Sequence, residues 1–147
     1  MRRALEVARA LPDPGADDPP VGAVVYGPDG TELAAAHHDR ERTADPTAYA
    51  EILALRQAGH ALGTWHLEGC TLVTTLEPGV MSAGALVLAR VPRLVVGSWD
   101  THNGAVCSQW DLVRDRRLNH FVEVIPEVLR PECDALLNSY LDAPRHA

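Results

Sequence analysis

Two short segments carry the residue types that could do acid–base chemistry. In residues 45–55, Glu51 follows Tyr49 near the start of a predicted helix. In residues 74–86, Ser82 follows the corner at which a predicted strand turns into the next helix. A positioned carboxylate can move protons to and from a reacting group. The two segments therefore predict a pocket in which Glu51 is the candidate catalytic residue.

Alternating helices and strands must bring these segments together. Apolar periodicity and turn residues predict helices at 2–11, 45–59, 80–89, 110–116 and 131–141, and strands at 21–27, 31–37, 70–76, 93–97 and 121–125. Asp45 and Pro46 suit the cap and first position of the second helix. Strands that alternate with helices favour an α/β fold, with the first two strands antiparallel and the others parallel. The apolar strands at 70–76 and 93–97 are predicted to be central.

Length and composition indicate a single globular domain over residues 1–147. The chain is 46% hydrophobic and 22% charged, with a net charge of −7 and no lysine. That charge argues against tight non-specific binding to nucleic acid, though it leaves room for a local basic patch. Three widely spaced cysteines form neither a disulfide framework nor a metal clip, which favours the cytoplasm. An apolar run long enough to span a membrane is missing, so no membrane partner is expected.

Four segments, at residues 20–25, 45–55, 74–86 and 111–120, resemble those of the bacterial tRNA adenosine deaminases. That family belongs to the zinc-dependent cytidine deaminase superfamily. The segments occur in the family's order, and the resemblance extends from about residue 2 to 142. It implies a cytidine deaminase-like three-layer α/β/α fold with a five-stranded mixed sheet.

The chain departs from the family at the metal-binding positions that the resemblance implies. A histidine and two cysteines bind zinc in the family, and the matching residues here are Tyr49, Gly79 and Ser82. Glu51 keeps the position of the proton-shuttling glutamate, and Pro78 is retained. Catalytic zinc needs about three protein ligands, and glycine has no donor atom. The sequence therefore predicts no zinc and no other cofactor.

Other side chains could take part in the pocket or rebuild a metal site. The resemblance aligns His38 with an asparagine that meets the base in the family, and His102 and Cys107 lie in the loop after the fourth strand. We favour solvated surface histidines over metal ligands. His38, Pro78, Trp99 and His102 are kept as candidate pocket residues. Trp99 could stack on a ligand or cover the edge of the domain.

Tyr49 has two interpretations. Its ring could fill the space of the missing metal site, with its hydroxyl bonded to Glu51 or Ser82. Alternatively, Tyr49, Glu51 and Ser82 could form a new acid–base cluster. We prefer the first interpretation. A buried Glu51 is expected to have a raised pKa.

These patterns lead to two functional hypotheses. The first is a non-catalytic, zinc-less relative of the tRNA adenosine deaminases, acting as a structural or regulatory partner or as a nucleoside- or tRNA-binding protein. The alternative is an active hydrolytic adenosine- or cytidine-type deaminase that acts on tRNA or a nucleoside-like substrate through a rebuilt site, with Glu51 as proton shuttle. We prefer the first and leave the question of enzyme activity open.

Two kinds of macromolecular partner follow from the same patterns. The family dimerises, so the apolar helix at 80–89 indicates a homodimer or a heterodimer with a deaminase. Arg114, Arg116 and Arg117 retain a basic segment of the family and are the candidate contacts to tRNA. The net negative charge of the chain weakens the case for tRNA.

Overall fold

The computed structural model describes residues 1–11 and 17–143. Part of the loop predicted over residues 12–20 thus falls outside the described residues. The helices are α1 (Arg2–Arg9), α2 (Arg40–Thr43), α3 (Ala50–Leu62), α4 (Val80–Leu88) and α5 (Arg130–Leu141). The strands are β1 (Gly22–Tyr26), β2 (Glu32–His37), β3 (Thr71–Leu76), β4 (Arg93–Ser98) and β5 (Glu123–Ile125).

The strands form one five-stranded mixed sheet in the order β2-β1-β3-β4-β5. Strand β1 runs antiparallel to both β2 and β3, whereas β3, β4 and β5 are parallel. The predicted mixed sheet and the central places of β3 and β4 are confirmed. The carboxyl ends of β3 and β4 therefore meet at one edge of the sheet, as in other open α/β folds that bind ligands there.

Alternating side chains on the central strand build two apolar faces. Leu72 points into the larger core, which includes Ala54 of α3 and Leu86 of α4. Val73 points to the other face, where it belongs to a smaller cluster with Val7 of α1. Helices on both faces of the sheet give three layers, which confirms the predicted α/β/α arrangement.

Helix α5 packs closely on β4 at Gly97. A Cβ atom at Gly97 would overlap Sγ of Cys133 and lie 2.8 Å from the carbonyl oxygen of Thr75. Glycine permits this approach because it has no side chain. Cys133 is buried in this contact, and Cys70 is also buried, while Cys107 is exposed.

The second predicted helix begins later than its sequence indicates. Instead of capping a helix, the Asp45 carboxylate accepts hydrogen bonds from the backbone N–H of Thr47 at 2.8 Å and from its hydroxyl at 2.7 Å. This local turn competes with the helix. Helix α3 therefore begins at Ala50, whose N–H donates to Nδ1 of His38 at 2.9 Å. A distant histidine supplies the cap that local sequence could not reveal.

The helix predicted at 110–116 is wrong. The backbone N–H groups of Gln109 and Trp110 both donate to the carbonyl of Gly104, at 2.9 and 3.2 Å. Further along, Val122 donates to the carbonyl of Val113 at 3.0 Å. These bonds within the loop do not follow the helical pattern, and the stretch is a series of turns.

Across the described ranges, the structure contains no helix that is both long enough and apolar enough to cross a bilayer.

Candidate active site

A pocket of about 580 Å³ opens at the carboxyl edge of β3, beside the first turns of α3 and α4. Its lining includes the candidate residues His38, Tyr49, Glu51, Gly79 and Ser82, together with Arg40. The opposite wall comes from the loop after β4, through Asp100, Asn103 and Trp110. Glu51 and Ser82 are thus brought together from two segments that are 31 residues apart in the chain.

Glu51 is buried in the first turn of α3, with 2% of its surface exposed. The Ser82 hydroxyl lies 3.4 Å from Oε2 of Glu51, and the Thr74 hydroxyl lies 3.3 Å from Oε1. Burial, the dominant cause, raises the pKa of the Glu51 carboxyl to about 7. Hydrogen bonds to both hydroxyls oppose that rise. A carboxyl group in this state can both release and accept a proton near neutral pH.

The neighbours of Glu51 suit both of its protonation states. Thr74 has one hydroxyl proton, and its oxygen is also 3.0 Å from the carbonyl of Leu76. When Thr74 donates to that carbonyl, its oxygen can accept a hydrogen bond from the protonated carboxyl of Glu51. When Glu51 is ionised, the hydroxyls of Thr74 and Ser82 can donate to it instead.

Tyr49 turns toward Arg40 rather than toward Glu51. Nη1 of Arg40 donates to the Tyr49 hydroxyl at 3.4 Å, and the guanidinium lies 5.0 Å from the ring centroid. Nε of Arg40 donates to Oδ1 of buried Asp18 at 2.9 Å. The expected bond from Tyr49 to Glu51 or Ser82 is not found among the described residues, where the Glu51 carboxylate is bonded by Thr74 and Ser82 instead.

The loop that carries Asp18 is tied to two other elements. Asp18 also accepts the N–H of Glu41 at 2.9 Å, which anchors the short helix α2 that the sequence did not predict. The hydroxyl of Tyr140, on α5, donates to the carbonyl of Asp17 at 2.8 Å.

His38 is buried, contrary to the expectation of a solvated histidine, with 4% of its surface exposed. Its ring lies 4.7 Å from the ring of Tyr49. Burial, followed by the nearby Arg40 charge, lowers the pKa of His38 to about 3. Because Nδ1 accepts the Ala50 N–H, the neutral ring carries its proton on Nε2. His38 is thus a fixed neutral group in the pocket wall.

Three predicted pocket residues lie outside the lining. Pro78 is buried behind the corner, and its carbonyl accepts the N–H of Ala105 at 2.9 Å. Trp99 turns to the edge of the domain, where its Nε1 donates to Glu127 at 2.9 Å. His102 is exposed on the loop. The interpretation of Trp99 as an edge-covering residue fits its position better than stacking on a ligand.

The sequence analysis did not identify two residues that shape the pocket. Arg40 sits in an unpredicted helical turn, and nothing in the local pattern marks it. Glu77 precedes Pro78 at the strand end and is 2% exposed. Glu77 could have been identified from the sequence, because it directly follows an apolar strand. A carboxylate buried at such a position needs several hydrogen-bond donors around it.

The basic segment is mostly neutralised by its own carboxylates. Arg114 pairs with Asp111 at 2.9 Å and also donates to the carbonyl of Val106 at 3.1 Å. Arg117 pairs with Asp115 at 2.6 Å. Arg116 is exposed and makes no ion pair within the described part of the chain.

Comparison with known proteins gives a consistent family assignment. Residues 1–98 match the family model described as the cytidine and deoxycytidylate deaminase zinc-binding region. The tRNA-specific adenosine deaminase of Bacillus subtilis (strain 168) is 40% identical over 140 residues, covering 95% of this chain and 85% of that protein. The tRNA-specific adenosine deaminase of Haemophilus influenzae is 37% identical over 145 residues, covering 99% of this chain and 83% of that protein.

Solved structures agree with the sequence matches. A structure from a study of A-to-I editing by tRNA:A34 deaminases has a TM-score of 0.87 and 35% identity, covering 93% of this chain and 97% of that one. A guanine deaminase from Nitrosomonas europaea has a TM-score of 0.77 and 30% identity, covering 97% of this chain and 83% of that one.

The fold and the pocket together define a protein of the cytidine deaminase-like class. Within that class the chain belongs to the cytidine and deoxycytidylate deaminase family, and its relatives there are tRNA-specific adenosine deaminases.

Membership corrects one prediction about the cofactor. The sequence analysis predicted no zinc, whereas the matching family model is that of a zinc-binding region, so zinc is the cofactor that this family implies. The donors at the corner do not fit that metal: Gly79 has no side chain, and Tyr49 and Ser82 offer neutral hydroxyls. Among the described residues, no three His, Cys, Asp or Glu side chains form a group that could hold a metal. We therefore derive no chemical step through zinc.

Proposed function

We propose that the pocket binds an adenine base presented by tRNA and that the reaction class is hydrolytic deamination, with Glu51 as the proton-transferring residue. Support for this proposal comes from the buried Glu51 carboxyl, which lines the pocket and has a pKa of about 7. General acid–base catalysis is most efficient when the pKa lies near the working pH. The relatives are tRNA-specific adenosine deaminases, which favours the same substrate.

The proposed reaction exchanges an amino group for an oxo group. The oxygen of water bonds to the ring carbon that bears the amino group, and Glu51 accepts a proton from that water. The bond between this carbon and the amino nitrogen then breaks, and Glu51 returns the proton to the departing nitrogen. The hydroxyl group left on the carbon gives its remaining proton to ring nitrogen N1, which completes the oxo group, so the products are inosine and ammonia and all atoms and charges balance.

A second candidate function is binding of the same base without hydrolysis. It is favoured by the donor set at the corner, where Tyr49, Gly79 and Ser82 differ from the family's ligand types. The hydroxyl of Tyr49 is already held by Arg40 at 3.4 Å. In this case the protein acts as an RNA-binding or regulatory member of the family.

One experiment separates the two candidates. An anticodon stem-loop RNA with adenosine at the wobble position is incubated with the protein, with and without added zinc, and inosine is measured by mass spectrometry. Binding of the same RNA is measured by fluorescence anisotropy. The deaminase proposal predicts inosine with the wild type and about 100-fold less with Glu51→Gln. Glu68→Gln, at an exposed carboxylate, is the matched control.

Each result has a defined meaning. Binding without inosine in either metal condition contradicts the deaminase proposal and supports the second candidate. Absence of binding contradicts both. Inosine formation that Glu51→Gln leaves intact excludes Glu51 as the proton-transferring residue.

We further propose that the protein forms a homodimer through α3 and α4. A surface groove of about 880 Å³ lies between these helices and is lined by apolar residues that include Leu55, Trp65 and Leu88. Leu88 is 72% exposed and Trp65 is 63% exposed, which is unusual for a patch facing water. The relevant measurement is the mass in solution by light scattering. Leu88→Arg should give a monomer, and Phe121→Arg, at an exposed site outside the groove, should not.

A heterodimer with an active deaminase is the other assembly that this surface could serve. A wild-type monomer at micromolar concentration would contradict the homodimer and leave the heterodimer as the partner proposal. We also propose that residues 1–147 form one domain and that the protein acts in the cytoplasm, where tRNA is available.

A further inference from the structure

Glu77 is a buried carboxylate that the proposed reaction does not use. Glu77 directly follows the last residue of β3. Its side chain turns away from Glu51 and toward the loop after β4. Oε1 of Glu77 accepts the backbone N–H groups of Val106, Cys107 and Ser108, at 3.2, 2.8 and 2.9 Å. Oε2 accepts the N–H of Asp100 at 2.9 Å and the hydroxyl of Ser108. One side chain thus satisfies five donors from a single loop.

The loop is shaped around this carboxylate. A Cβ atom at Gly104 would overlap the Glu77 carboxylate, so the loop backbone passes directly over it. Between Asp100 and Trp110 the chain has neither helix nor strand, and its regular backbone bonds are few. Backbone N–H groups that point inward need a hydrogen-bond acceptor. The Glu77 carboxylate is the acceptor for four such groups in this loop.

The same loop forms the pocket wall opposite Glu51. Asp100, Asn103 and Trp110 line the pocket, and Asp100 is itself bonded to Glu77 through its N–H. The N–H of Asn103 donates to Oδ1 of Asp100 at 3.0 Å, so the position of Asn103 depends on the same anchor. Displacing the carboxylate would therefore move polar and aromatic groups that line the pocket.

We propose that Glu77 is a positioning residue for ligand recognition, because its carboxylate holds residues 100–110 as a preformed wall of the pocket. This inference rests on the proposed function for the identity of the ligand. Its effect on the loop is independent of that function. A preformed wall lowers the ordering cost of binding and so raises affinity.

Two different substitutions test the proposal. Glu77→Gln replaces one carboxylate oxygen by an amide NH₂ group, which cannot accept from a backbone N–H. Gly104→Ala leaves the carboxylate intact and pushes the loop away from it. Gly84→Ala is the control, because a Cβ atom there meets nothing within 4 Å. All three are compared with the wild type by hydrogen exchange and by anisotropy with the wobble-adenosine stem-loop RNA.

Both loop variants should show about tenfold faster exchange or more at residues 100–108, with unchanged exchange in β3. Affinity for the RNA should fall about 10- to 100-fold in both, and Gly84→Ala should match the wild type. A merely structural role for Glu77 would instead raise exchange in β3 and the loop together and lower the melting temperature equally.

The outcomes distinguish this inference from the proposed function. Unchanged loop exchange in Glu77→Gln overturns the inference, as does faster exchange with unaltered affinity. If the wild type binds no RNA, the proposed function fails. In that case faster loop exchange in both variants still supports Glu77 as the anchor, and unchanged exchange rejects it.

Discussion

Burial decides which chemistry the side chains of the pocket can perform. Glu51 and His38 both line the pocket and have little contact with solvent, yet burial shifts their pKa values in opposite directions. Each shift favours the uncharged form, because a low-dielectric site penalises charge. Near neutral pH the pocket therefore contains a neutral imidazole and a carboxyl group that is about half protonated. Of these two groups, Glu51 is the one whose protonation state changes near neutral pH.

The raised pKa of Glu51 predicts a stability that declines with rising pH. Below about pH 4.5 the carboxyl is protonated in both folded and unfolded states, so the shift has no cost. As pH rises toward 7, the unfolded chain ionises first and the folded state is destabilised, by about 3 kcal/mol in total. Glu51→Gln should remove this loss in urea unfolding of chelator-treated protein at pH 4.5 to 8. If the free energy of unfolding changes with pH in the same way in the variant and the wild type, Glu51 is not the source of this loss.

The lowered pKa of His38 predicts the opposite dependence in acid. Above about pH 6.5 the imidazole is neutral in both states, and as pH falls the unfolded chain takes up a proton that the folded chain refuses. The free energy of unfolding should fall by about 3 kcal/mol between pH 7 and pH 4 because of this one group. His38→Asn can still accept the Ala50 N–H but does not titrate. In this variant the free energy of unfolding should fall less steeply as pH decreases from 7 to 4. A fall equal to that of the wild type would exclude His38 as the cause of the acid dependence.

At the level of the elements, close packing at Gly97 sets the position of α5. Gly97→Ala should lower the free energy of unfolding by about 1 to 3 kcal/mol, because the new methyl group overlaps Sγ of Cys133. The loss should be smaller when Cys133→Ala is present, although the contact with the Thr75 carbonyl persists. Gly84→Ala, which adds a methyl group in open space, should be neutral or slightly stabilising. If Gly97→Ala lowers the free energy of unfolding equally with and without Cys133→Ala, the overlap with Cys133 is not the cause of the loss.

Periodicity predicted these elements well where a helix or strand buries one face. Strands β3 and β4, with their apolar runs, and helix α4 were found within one or two residues of their predicted bounds. The errors occur where hydrogen bonds form outside the regular helical pattern. His38 fixes the start of α3, and the Gly104 carbonyl accepts the N–H groups of Gln109 and Trp110; neither bond follows from apolar periodicity.

The site was predictable in part, for a similar reason. The resemblance pointed to Glu51, Tyr49, Gly79 and Ser82, and the structure places all four around one pocket. Arg40 and Glu77 were missed because their roles depend on loops that fold back from elsewhere. Two interpretations of Trp99 stayed open in the sequence, because a strand end does not specify the direction of a long side chain, and its bond to Glu127 favours a place at the domain edge.

For the whole molecule, a net charge of −7 limits how RNA can be bound. Most arginines of the basic segment are already paired with carboxylates, which leaves Arg116 as its exposed, unpaired member among the described residues. We expect RNA binding to weaken only modestly as salt increases, since few phosphate contacts are available. Arg116→Ala should reduce the salt slope of the binding constant by about 1. Arg117→Ala removes an arginine that is already paired with Asp115 and should change the salt slope less. Equal changes of the salt slope in the two variants would contradict the role of Arg116 as the phosphate contact.

The bond between Tyr140 and Asp17 connects the last helix with the pocket. The next residue, Asp18, holds the guanidinium that rests on the ring of Tyr49. Removing Tyr140 would therefore be expected to loosen one wall of the pocket, although this residue lies far from the pocket in the sequence.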